Sequence, residues 1–79
     1  MKIEILGTGC PKCQKLHANA VQAVQESGVQ AEIVKVTDIR EIMKRGVMLT
    51  PALSVNGEVK SMGKVLDAGE IKSFLQKEK

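Results

Sequence analysis

Two cysteines, the only ones in 79 residues, stand three apart as Cys10-Pro11-Lys12-Cys13. Sulfurs at that spacing in one chain either exchange electrons as a dithiol–disulfide couple or hold a soft metal. They do not staple distant parts of a fold, because the loop they close is a single helical turn. Only a thiolate attacks a disulfide sulfur, and an ordinary cysteine, with a pKa of about 8.5, is mostly protonated at neutral pH. Pro11 suits the first position of a helix, where its fixed φ fits and its missing N–H would have had no partner. Cys10 then becomes the N-cap, beside unpaired backbone N–H groups and the positive end of the helix dipole. Lys12 adds a cation in the same turn, and Lys15 a second. The expectation is a lowered pKa at Cys10, tuned by the loop residues Gly9, Pro11 and Lys12. Cys13 lies one turn inside the helix, on the stripe that carries Leu16, and is expected to be the less exposed sulfur. Cys10 is thus the candidate attacking sulfur and Cys13 the candidate resolving sulfur.

Metal chemistry is the competing use of the pair. His17 is the only histidine, so one chain offers at most three soft ligands where structural zinc takes four. His17 reads instead as an exposed or partly packed helix residue, and no resident metal or other cofactor is expected. Small copper and mercury carriers are a sharper alternative, since they begin strand, Gly-x-x-Cys-x-x-Cys, helix, which Gly7-Thr8-Gly9-Cys10 partly resembles. Those carriers continue with two strands, a helix and a strand. The order of elements after the first helix therefore separates the two readings.

That order follows from periodicity and turn chemistry. Residues 2–6 alternate as a strand and stop at Gly7-Thr8-Gly9. Cys13, Leu16, Ala20 and Val24 share one helical face, with Gly28 as terminator, which predicts a helix over 11–27. Residues 31–36, with the β-branched Ile33, Val34 and Val36, predict a second strand. Asp38 followed by Glu41 has the form of a capping box, opening a short helix to Arg45 with Ile39, Ile42 and Met43 inward and Gly46 as its stop. Asn56-Gly57 between 52–55 and 58–61 predicts a type I′ hairpin. Asp67 and Glu70, bracketed by Leu66 and Ile71, cap a last helix whose buried face is Ile71, Phe74 and Leu75. Met43, Met48 and Met62 read as packing residues. The predicted chain is βαβαββα, one α/β domain over 1–79, with a right-handed βαβ crossover and helices flanking a four-stranded mixed sheet.

Composition narrows the partners. The net charge is +3 and the pI about 9.0, but acidic and basic residues interleave. Phe74 is the only aromatic residue, so no base-stacking platform exists and no nucleic-acid partner is expected. No apolar run approaches a signal-peptide core or a membrane span, and a glutamate interrupts the first one, so a cytoplasmic protein without membrane attachment is expected. The core must be aliphatic.

With Cys-Pro-x-Cys after the first strand, Thr50-Pro51 heading the third and an Asn-Gly hairpin, the whole chain resembles the thioredoxin and glutaredoxin superfamily. It is most similar to the small thioredoxin-like redox-active disulfide proteins. The resemblance implies a protein disulfide oxidoreductase, with Cys10 and Cys13 catalytic and Pro51 a cis-proline beside them. It implies that Thr50, Pro51 and Gly63 bind substrate, the Thr50 backbone pairing with an extended segment of it. Disulfide-containing proteins are the implied substrates, and a flavin-dependent thioredoxin-reductase-like protein the implied source of electrons. The chain departs from thioredoxins in having Gly9 before Cys10 and no tryptophan, which predicts a reduced apolar docking surface. It departs from glutaredoxins in having Lys12 where they have Tyr, and Ser61-Met62-Gly63 with Asp67 matches their glutathione-binding turn loosely.

Overall fold

A computed structural model describes residues 1–9 and 11–77. Its elements run β1 (Lys2–Leu6), α1 (Pro11–Ser27), β2 (Glu32–Val36), α2 (Ile39–Lys44), β3 (Ala52–Val55), β4 (Glu58–Met62) and α3 (Ala68–Lys77). A helix, not a strand, follows β2, so the chain has the order of the redox resemblance and not that of the metal carriers. The strands form one mixed sheet in the order β2-β1-β3-β4. β1 is parallel to β2 and antiparallel to β3, and β3 is antiparallel to β4.

Alternation along the two central strands divides the core. Ile3, Ile5, Leu53 and Val55 face α1 and α3, meeting Leu16, Ala20, Ala23, Ile71 and Leu75. Leu6 and Ala52 face the opposite side, where Ile42 of α2 and Val47 cover them. Each fully buried Leu or Ile contributes about 1.5–3 kcal/mol of hydrophobic stabilisation, and no aromatic residue is needed to fill this space. Val24, expected on the α1 stripe, is partly buried against this core, and Ala23 takes the fully buried position beside it.

The turn chemistry is local and specific. Asn56 and Gly57 both have positive φ, 53° and 83°, as a type I′ turn requires. Asp67 caps α3 by accepting a hydrogen bond from the Glu70 N–H at 2.8 Å, while Leu66 and Ile71 are buried as its staple. Asn19 of α1 donates to the Leu66 carbonyl at 2.9 Å, and Lys72 of α3 pairs with Glu26 of α1 at 3.2 Å. Hydrogen bonds from Gln22 and Lys72 hold the Glu26 carboxyl below its usual range. No helix among the described residues is long and apolar enough to cross a membrane.

α2 departs from expectation in an informative way. Its N-terminus forms as predicted, with the Asp38 side chain accepting from the Arg40 N–H at 2.8 Å. At the other end Gly46, at φ 77°, donates to the Met43 carbonyl and Val47 to the Ile42 carbonyl, the two bonds of a Schellman motif. Of the three residues expected inward, only Ile42 is buried; Ile39 and Met43 are exposed, as are Met48 and Met62. A helix of six residues presents one stripe to the sheet, and Ile42 fills it. Ile39 and Met43 flank that stripe and border a groove with Thr8 and Thr50.

Glu4, in the middle of the apolar first strand, alternates onto the α2 side and is buried. Its carboxylate accepts a hydrogen bond from Arg45, the C-cap residue of α2. That bond holds the Arg45 guanidinium even further above its ordinary range, against the opposing effect of burial. Because Arg45 remains a third exposed (32%) while the Glu4 side chain is 5% exposed, losing the cation strands a carboxylate in the core. Arg45→Met is expected to destabilise the fold by about 2 kcal/mol, read as a lower urea midpoint. The double change Glu4→Gln with Arg45→Met should recover part of the loss, and an unchanged midpoint in Arg45→Met would show the pair to be incidental.

Candidate active site

The end of β1 meets the start of α1 and the head of β3 at one point. Gly7 continues the ladder after β1, donating to the Val36 carbonyl at 2.9 Å. A Cβ on Gly7 would overlap Cys13 Sγ, and would lie 3.2 Å from Cys13 Cβ and 3.9 Å from Pro51 Cα. Glycine is required here because a sulfur occupies the space a side chain would need. Cys13 is buried in the first turn of α1, as expected of the inner sulfur. The expected N-cap and attacking sulfur, Cys10, lies outside the described residues. Gly9 has φ 90°, a conformation that glycine adopts freely, and its carbonyl accepts from Gln14 Nε2 at 3.2 Å, tying the loop to the helix it precedes. Pro11 is the first helical residue, and Lys12 is exposed on that first turn.

Across the site the Thr50–Pro51 peptide is cis. Pro51 is buried and Thr50 exposed. The Pro51 carbonyl accepts from the Gly63 N–H at 2.9 Å, which joins the loop after β4 to the same corner. Leu49 packs on Gly63, whose Cβ would stand 3.3 Å from Leu49 Cβ. The structure thus gathers Gly7, Cys13, Thr50, Pro51 and Gly63 at one end of the sheet.

Two features of the site were not read from sequence. A small cleft beside Cys13 is lined by Ile5, Gly7, Gly9, Gln14, Lys35 and Thr37, with Lys35 supplying its charged side chain. The Lys35 field is felt at His17, whose imidazole is lowered from its usual 6.5 first by partial burial and then by that cation. His17 is partly buried, in keeping with a helix residue against its neighbours, and the described residues contain no cluster of three or more His, Cys, Asp and Glu able to hold a metal. The second feature is apolar. Ile39, Met43, Met48, Leu49 and Met62 are exposed on the α2 side of Thr50 and Pro51. Where thioredoxins carry tryptophan this chain has none, and aliphatic and thioether side chains are exposed there instead.

Comparison with known proteins agrees with this geometry. A family model described as thioredoxin domain matches residues 1–76. The chain is 47% identical over 75 residues to a thioredoxin of Methanothermobacter thermautotrophicus, a match that covers 95% of this chain and 97% of that one. It is 45% identical over 74 residues to a thioredoxin of Methanocaldococcus jannaschii, covering 94% of this chain and 85% of the relative. With the four-stranded mixed sheet and its helices already in that arrangement, the chain belongs to the thioredoxin family and is a protein disulfide oxidoreductase.

Proposed function

We propose that Cys10 and Cys13 carry dithiol–disulfide exchange with a partner protein that docks at Thr50 and the apolar groove beside it. The observation that supports this most is the position of Cys13, buried against Gly7 at the corner that Pro51 also reaches, three residues from Cys10 in the sequence. The Cys10 thiolate attacks one sulfur of the partner's disulfide, forming a mixed disulfide and expelling the partner's other sulfur as a thiolate, which takes up a proton. Cys13, as its thiolate, then attacks Cys10, forming the Cys10–Cys13 disulfide and releasing the partner as a dithiol. Two electrons pass from the chain to the partner in each cycle. A flavin-dependent thioredoxin-reductase-like protein restores the dithiol, and glutathione is the other reductant to assay. Gly9, Pro11 and Lys12 tune Cys10, while Thr50, Pro51 and Gly63 receive the substrate backbone, Thr50 pairing with an extended segment. The same reading places the protein in the cytoplasm, where a cysteine pair at this spacing is catalytic rather than structural.

Lys35 has a part in this scheme. It lines the cleft with Cys13 and offers a cation to the thiolate that must form before resolution.

Insulin reduction with dithiothreitol or a reductase tests the scheme. Cys10→Ser should abolish it, and Cys13→Ser should trap the mixed disulfide. Activity retained in Cys10→Ser would overturn the mechanism, and stoichiometric Cu(I) or Hg(II) transfer without disulfide formation under mild oxidation would replace it by metal carriage.

Gly7→Ala forces the strand end or Cys13 to move. The released-partner step should slow by about tenfold or more, with the mixed disulfide accumulating in quenched samples analysed by mass spectrometry. Overpacking should also cost about 1–3 kcal/mol of stability. Release at the wild-type rate would remove Gly7 from the site.

For Lys35→Met, an NMR titration should find the His17 pKa raised toward 6.5 without reaching it, since burial is the larger cause of its depression. In the parent protein the neutral imidazole is favoured in the folded state, so the unfolded chain binds more protons between the lowered value and 6.5. His17 therefore costs stability as pH falls through that window, and Lys35→Met should weaken this dependence. An unchanged titration would place Lys35 too far away to act.

A further inference from the structure

The large hydrophobic side chains left exposed among the described residues all fall between residues 39 and 62: Ile39, Met43, Met48, Leu49 and Met62. Three of them are methionines, and they are every methionine of the chain after Met1. Met48 is 90% exposed, Met43 68% and Met62 45%. Met43 and Met48 line one groove together with Ile39, Thr8 and Thr50. Thr8 stands two residues before Cys10, and Thr50 forms the cis bond to Pro51. The groove therefore lies beside the cis-proline loop, and its two most exposed large hydrophobic side chains are those of Met48 and Met43.

A thioether in this position is open to a reaction that a leucine would not undergo. Its sulfur lone pair attacks the terminal oxygen of a hydroperoxide, an S–O bond forms as the O–O bond breaks, and the second oxygen takes up the proton of the transferred one and leaves as an alcohol, or as water when the oxidant is hydrogen peroxide. Sulfur loses two electrons and the peroxide gains them. The sulfoxide is polar and chiral where the thioether was apolar and flexible. Peroxide also converts the cysteine pair to its disulfide, but dithiols reverse that oxidation, whereas a sulfoxide needs a dedicated methionine sulfoxide reductase.

We propose that Met43 and Met48 are sites of reversible sulfoxidation by hydroperoxides, and that their oxidation weakens docking of protein disulfides while leaving exchange at the sulfurs intact. This rests on the reading that a partner protein covers the groove during exchange. A small disulfide has no need of the groove, so the two substrate classes should respond differently. Placing sulfoxides in a contact that excludes water leaves polar groups without partners, which should raise KM for a protein substrate by about tenfold.

The test uses the full chain treated with hydrogen peroxide and then with dithiothreitol, with thiol titration showing both cysteines restored. Peptide mass analysis should find one added oxygen on Met48 and on Met43. KM for insulin should rise about tenfold with KM for a small aryl disulfide unchanged, and the A and B methionine sulfoxide reductases together should reverse the rise. The variant M43L/M48L should show no difference between its own treated and untreated samples. Three results would overturn the proposal: sulfoxides at both positions with KM for insulin unchanged, the same rise in M43L/M48L, or thioethers that survive peroxide sufficient to oxidise free methionine. An untreated chain that reduces the aryl disulfide but not insulin would remove the docking groove. One that reduces neither would instead remove the exchange mechanism itself.

Discussion

The site depends on one steric fact: the backbone at the end of β1 runs so close to the first turn of α1 that only a hydrogen fits on Gly7 where Cys13 Sγ lies. Sheet, helix and cis-proline loop converge there around the Cys13 side chain. Each of the three is anchored elsewhere, β1 by its two neighbouring strands, α1 by Leu16 and Ala20 in the core, and Pro51 by the Gly63 N–H. The sulfur's position is consequently set by the fold as a whole rather than by its own contacts. An interior packed to crystal-like density transmits small displacements, so a methyl group added at this glycine has to displace the strand end or Cys13.

The opposite face of the sheet serves the site less directly. The Schellman turn after α2 reverses the chain into Val47 and then carries Met48 and Leu49 outward toward Thr50. Arg45, fixed at that turn, reaches the buried Glu4 of β1. An ion pair in such a place adds little net stability over an apolar substitute, but it ties the end of α2 to the middle of β1. The groove wall and the cis-proline loop share that anchorage.

Much of the architecture was legible because local signals agreed with one another. The proline-started first helix, the Asn-Gly hairpin and the Asp67 cap with its Leu66 and Ile71 staple all lie where turn and capping chemistry put them. What sequence did not show was tertiary. Glu4 counted only as an interruption in an apolar run, since nothing local says that Arg45, 41 residues on, will meet it. Ile39 and Met43 satisfy the helical period of a buried face, yet a helix this short leaves them beside the sheet rather than on it. Gly7 read as a strand breaker, and Lys35 lay unremarked within the second predicted strand. Each acquires its place from an element distant in sequence, Gly7 from Cys13 and Pro51, and Lys35 from the helix crossing above it. Absence of tryptophan predicted a reduced apolar surface and the methionines read as packing residues, because nothing local in the sequence says that Met43, Met48 and Met62 stay exposed.

The burial of Cys13 has a kinetic meaning. In the proposed exchange, a sulfur buried against Gly7 is out of reach of a bulky partner, so the electrophile it meets is one delivered within its own chain. Its effective concentration toward such a neighbour is that of an intramolecular reactant, far above any competing thiol in solution. On that mechanism, packing that denies one sulfur to the solvent makes release of a partner a first-order event, independent of how crowded the surroundings are with other thiols.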